Sequence, residues 1–118
     1  IVAPPDGAMR AYMESLEALR DRDETIYWPG HGGPVRDPRR FVRGLATHRR
    51  QRESAIRGRL EAGDRDIRAI VAAIYQGLNP ALRGAAALSV FAHLEDLVER
   101  GVVRSDGPAR LDSRYAPA

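Results

Sequence analysis

The string HLEDLVERGVV, His93 to Val103, limits the fold more than any other part of the chain. Leu94, Leu97 and Val98 stand on one helical face, and Gly101 stands directly before two valines. Glycine readily takes the left-handed conformation that stops a helix, and β-branched valine suits a strand. A helix must therefore end at Gly101 and pass without a spacer into a strand. Its apolar face extends back through Val90, Ala86 and Leu82, with His93 in the same seam. Ahead of it, Ile67, Ile70, Val71, Ile74 and Tyr75 mark a shorter helix closed by Gly77 and Asn79-Pro80. After it come VVRS, a DGP turn and ARLDSRY, which read as the two strands of a hairpin. Helix, helix, helix and hairpin is the order of a winged helix-turn-helix.

The first of those helices is the end of a long one. Asp37-Pro38 opens a helical pattern carrying Phe41, Leu45, Ile56 and Leu60, interrupted by His48 and Arg52 and ended by EAGD. A seam broken in this way predicts a helix that bridges two packing environments. Further upstream, Met9, Tyr12, Met13, Leu16 and Leu19 predict an amphipathic helix over residues 8–20, entered through a turn and cap at Asp6 and Gly7. TIYW, Thr25 to Trp28, reads as a short strand with core aromatics Tyr27 and Trp28, ended by Pro29 and followed by a glycine-rich loop around His31. The expected architecture is mainly α and in two parts. Residues 1–44 hold a helix, a short strand, a loop and the start of the long helix, and residues 45–118 form a winged-helix domain. A lone strand leaves backbone groups unpaired. It should join a sheet from elsewhere in a longer protein or drive association between copies, and the opening IVAPPDG, which reads as the end of a strand, predicts sequence upstream of it.

Composition removes several classes of function. With 118 residues and no cysteine, the chain can build one modest core but no disulfide framework and no thiolate metal site. No apolar run approaches the roughly 20 residues of a membrane helix, so a cytoplasmic protein is expected. All 19 basic residues are arginine, which reads as the mark of a G+C-rich, bacterial genome. Nine of them fall between Arg36 and Arg59 against only Asp37 and Glu53, a density that would attract an anionic partner if exposed.

Within that stretch lies HRRQRE, His48 to Glu53. Arg49 and Arg50 are four and three residues from Glu53, so a local ion-pair cluster is expected. The string reads as a structural link between the two parts of the chain, with Arg49 and Arg52 as candidates for contact with an anionic substrate. A major-groove reader needs Arg, Lys, Asn or Gln at the start of its recognition helix. PALRGAAALSVFAHL supplies only Arg83, so sequence-specific DNA reading is not expected. The wing arginines Arg104, Arg110 and Arg114 are offset by Asp106 and Asp112, which leaves weak, non-specific RNA binding as the most to expect. His93 reads as a core histidine with its hydrogen bonds satisfied. His31, flanked by Gly30, Gly32 and Gly33, is on spacing alone either a solvated turn residue or a metal ligand on a sharply bent loop.

Taken together, APPDGAMRAYMESLEALRDRDETIYWPGHGGPVRDP, HRRQRESAI and HLEDLVERGVV resemble the C-terminal part of the metallo-β-lactamase superfamily. The resemblance is to the lactamase-beta-2-like branch, whose members carry an appended winged helix. It implies an αββα hydrolase fold whose first half bears an HxHxDH motif, which this chain lacks. It implies that His31 is the last histidine ligand of a site for two zinc ions, with the six preceding ligand positions upstream. By the same resemblance no catalytic residue falls within this chain, and the chain alone should not hold zinc stably. The implied substrates are phosphodiesters such as RNA, or thioesters. The competing reading is a stand-alone winged-helix binding module without catalytic activity.

Overall fold

The structure, a computed structural model, describes residues 9–20 and 38–118, with the backbone alone at 18–20 and 38. The expected cap at Asp6 and Gly7, the strand over Thr25 to Trp28 and the His31 loop lie outside the described residues. The architecture is mainly α. Helices α1 (Met9–Arg20) and α2 (Pro38–Glu61) are followed by α3 (Ile67–Ile74), a 3₁₀ turn over Pro80–Leu82, and α4 (Arg83–Glu99). A two-stranded sheet of β1 (Val103–Ser105) and β2 (Tyr115–Pro117) closes the chain.

The rotation of α2 differs from the one read off its sequence. Phe41 is 49% exposed and His48 is exposed, while Val42 and Ala46 are buried together with Ile56 and Leu60. Ile56 and Leu60 are the strongest apolar pair on the helix and set its orientation. Counting back from Ile56 in alternating steps of three and four reaches Glu53, Arg49, Ala46 and Val42, the face that α1 covers at Val42 and Ala46. The N-terminal half of α2 packs Val42 and Ala46 on Leu16 of α1, and its C-terminal half enters the winged-helix core. The helix runs unbroken through residues 44 and 45.

Each element of the winged helix starts and stops for a local reason. The Asp66 carboxylate accepts a hydrogen bond from the Ala69 amide at 2.8 Å and caps α3. Helices α2 and α4 end alike. The amides of Gly63 and Asp64 donate to the carbonyls of Leu60 and Arg59, and those of Gly101 and Val102 donate to Val98 and Leu97. Both glycines have positive φ, 113° and 74°, as this two-bond helix stop requires. Leu82, expected in the α4 seam, sits on the tighter 3₁₀ turn and is 52% exposed.

The core is built from Ile56 and Leu60 of α2, Ile70 of α3, and Val90, Leu94 and Leu97 of α4. Val103 and Tyr115 close it from the inner face of the sheet. The strands are antiparallel with Arg104 opposite Ala116. The second strand begins only at Tyr115, later than the string ARLDSRY suggested. The Ser113 hydroxyl donates to the Pro108 carbonyl and accepts from the Arg110 amide, which folds this stretch into a turn. The Tyr115 amide donates to the Arg65 carbonyl at 2.7 Å and so ties β2 to the α2–α3 connection. Helix α1 docks on the far side, with Met9 against Ala92 of α4. Among the described residues no helix is long and apolar enough to cross a membrane.

Candidate functional site

The middle of α2 is polar where a helix seam is normally apolar, and the neighbouring helices explain how it is accommodated. The Arg49 guanidinium lies over the Tyr12 ring of α1, 5.1 Å from its centroid. That of Arg52 lies over Tyr75, just past α3, at 4.5 Å. Such cation–π contacts contribute about 0.5–1 kcal/mol when exposed and more when desolvated. Arg50 donates to Glu17 of α1 at 2.6 Å. Glu53 is not paired with Arg49 or Arg50; it accepts from Arg100, beyond the end of α4, at 2.7 Å. Arg100 also reaches Asp96 at 3.0 Å, and Arg10 of α1 reaches Glu99 at 3.1 Å and Asp96 at 3.8 Å. The local cluster expected within HRRQRE is therefore a network across α1, α2 and α4. The arginines one turn away lose Glu53 to a longer-range one because α4 delivers Arg100 beside it.

His93 lies beneath this network. It is 1% exposed, and neither Nδ1 nor Nε2 has a hydrogen-bond partner. The expectation of a buried histidine is met, and the expectation of a satisfied one is corrected: Arg49, Arg52, Arg100 and Glu53 act on the ring through their charge, and none of them hydrogen-bonds either nitrogen. Burial pushes its pKa down to about 4, with the Arg49 guanidinium next in importance and Arg52 and Arg100 adding to it. Glu53 opposes the shift.

The remaining candidates lie apart. Arg83 opens α4 and, with Arg68 of α3, borders a mostly apolar hollow of about 480 Å³ floored by Ile67, Val71 and Ala87. It is some way along the chain from the Arg49–Arg52 network, and the two do not share a site. His31 lies outside the described residues. Among the described residues no three His, Asp or Glu side chains gather to hold a metal ion. His48 is exposed on α2, and His93 is buried alone among arginines, which repel a cation. The described residues thus do not fit a zinc site.

The sequence alone does not single out Tyr12, Tyr75 or Arg100 as members of this network. The signal for them is the polar break in the α2 seam, which calls for flat rings and counter-charges on whatever helices cover it.

The fold and its network define a class: a winged helix fastened by α2 to a helix ahead of it, α1. Residues 67–110 match the family described as beta-lactamase associated winged helix domain. No curated protein matches the sequence. Among solved structures, a metallo-beta-lactamase family protein from Thermus thermophilus is similar with a TM-score of 0.73 and 26% identity. A beta-lactamase domain protein from Burkholderia ambifaria is similar with a TM-score of 0.79 and 25% identity. Each match covers 93% of this chain and 33% of the solved one, so the chain spans about a third of the length of these relatives. In fold and in its winged-helix sequence the chain matches the C-terminal part of a metallo-β-lactamase family protein.

Proposed function

We propose that this chain is the C-terminal part of a metal-dependent hydrolase, in which the His31 loop supplies one ligand to a zinc pair and the winged helix is a scaffold. The observation that supports this reading is the network at the middle of α2. Helices α1 and α2 bracket the His31 loop in the sequence and are packed on each other through Leu16, Val42 and Ala46. Arg50 of α2 also pairs with Glu17 of α1, and Arg10 and Arg100 then fasten that pair to α4. A helix pair fixed at this many points can hold the ends of a ligand-bearing loop. Arg49 and Arg52 have their guanidinium faces on tyrosine rings, which favours a structural role over substrate contact.

On this reading the reacting groups lie in the part of the protein upstream of this chain, which is its first partner. The substrate class proposed is a phosphodiester, with RNA first and a thioester as the alternative, and the compartment proposed is the bacterial cytoplasm. The test uses the protein with its upstream half. Bound zinc is measured by mass spectrometry, and hydrolysis is followed on a single-stranded oligoribonucleotide and on a small thioester. His31→Ala should lower the zinc content and abolish turnover of whichever substrate is used. Unchanged zinc content and rate in that variant would refute the assignment of His31.

A further inference from the structure

Three arginines from separate parts of the sequence meet at the outer face of the wing. The antiparallel register pairs Arg104 with Ala116 and Ser105 with Tyr115, and the Asp106 amide donates to the Arg114 carbonyl at 2.9 Å. Side chains alternate across a strand, so Val103 and Tyr115 point into the core while Arg104, Asp106, Arg114 and Ala116 share the outer face. Their exposure agrees: Val103 and Tyr115 are buried, and the two arginines and Asp106 are exposed. Opposite Arg104 stands an alanine, which leaves space. The result is a hollow of about 500 Å³ that Arg65, before α3, also lines.

Arg65 is fixed at both ends. Its Nη1 donates to the carbonyls of Leu60 and Asp64 at 2.7 and 2.8 Å, and its own carbonyl accepts from the Tyr115 amide. Ser105 and Tyr115, which also line the hollow, spend their hydroxyl protons on the carbonyls of Gly107 and Arg110. Arg104 and Arg114 make no ion pair among the described residues, and neither does Asp106. The composition of the wing suggested arginines neutralised by Asp106 and Asp112. In the fold Asp112 is not part of the hollow and Arg65 is, so three arginines and one aspartate line it.

We propose that this outer face of the wing, between Arg65, Arg104 and Arg114, binds phosphate oxyanions. Guanidinium forks match the paired oxygens of a phosphate, and a tetrahedral group can accept from more than one fork at once. The pinned Arg65 is a preformed wall, and the two exposed arginines close on the ligand from the strands. The site stands apart from the hydrolytic reading, since it needs neither a metal nor the missing half of the protein.

The experiment measures binding by the 118-residue chain of a fluorescein-labelled oligouridylate, by anisotropy, and of sodium pyrophosphate, by calorimetry. The first probe presents backbone phosphates and the second a free phosphate anion. Arg104→Ala/Arg114→Ala should weaken binding at least about tenfold and flatten the log–log salt dependence by about 0.7 for each phosphate that is no longer neutralised. Asp106→Asn should tighten binding severalfold, and Arg43→Ala/Arg57→Ala, on exposed turns of α2, should leave it within about twofold of the parent chain. Circular dichroism checks that each variant is folded. Binding of either probe that follows this order supports the site and tells which source of phosphate it accepts. No binding of either probe, or equal binding by the parent chain and Arg104→Ala/Arg114→Ala, overturns it.

Discussion

Acid should loosen this protein at one residue. His93 is buried with both ring nitrogens unpartnered, and its pKa is pushed from the ordinary 6.5 down to about 4. The folded state therefore holds a neutral ring, while the unfolded chain takes up a proton as the pH falls through 6.5. Above that value the histidine costs nothing by titration. Between 6.5 and about 4 the unfolded chain binds more protons than the folded one, so stability falls steadily, and below about 4 the loss is complete. The gap from 6.5 to about 4, at about 1.4 kcal/mol per pH unit, amounts to about 3 kcal/mol. That is a large share of the 5–15 kcal/mol typical of a domain. The charges that face the ring are Arg49, Arg52 and Glu53 from α2 and Arg100 beyond α4, and from α1 Met9 packs nearby on Ala92 with Tyr12 and Met13 against the same cluster. The assay is urea denaturation followed by circular dichroism at pH 7.5, 5.5 and 4.5, for the parent chain and for His93→Leu. Leucine removes both orphaned nitrogens at similar volume, so the variant should be as stable as the parent or more so at pH 7.5. Carboxylates titrate in both proteins, so the informative quantity is the difference, which should widen by about 2 kcal/mol toward pH 4.5. Parallel pH profiles for the two proteins would refute the reasoning.

Three further expectations test the packing. Leu94 is 0% exposed in the winged-helix core, and Leu94→Ala should cost about 3 kcal/mol, read as a lower denaturation midpoint at unchanged slope. Asp66→Ala should cost about 1 kcal/mol by removing the cap of α3, and Asp66→Asn should restore most of it in the same thermal melts. In a double-mutant cycle, Arg49→Ala and Tyr12→Leu should couple by about 0.5–1 kcal/mol, and a coupling of zero would remove the cation–π contact from the account of how α1 is held.

What the sequence determined alone was local. Asp66 caps α3, Gly101 stops α4, and the spacing of Val90, Leu94 and Leu97 selects a helix face, because each of these effects acts within a turn or two of the chain. Their order along the chain was enough to read a winged helix, and the match of residues 67–110 to that domain agrees with it. The rotation of α2 was beyond such reasoning. Phe41 and Val42 are adjacent, and which of them is buried depends on Leu16 of α1, far off in sequence. The partner of Glu53 was equally hidden, since Arg49 and Arg50 are nearer along the chain and Arg100 is 47 residues away. The same holds for His93, whose missing partners are a property of the helices packed over it, and for Arg65, brought to the wing by the hydrogen bond between its carbonyl and Tyr115. Ionic and unsatisfied groups are decided by where elements cross, and that crossing is set by the sum of many small apolar contacts that no short stretch of sequence contains.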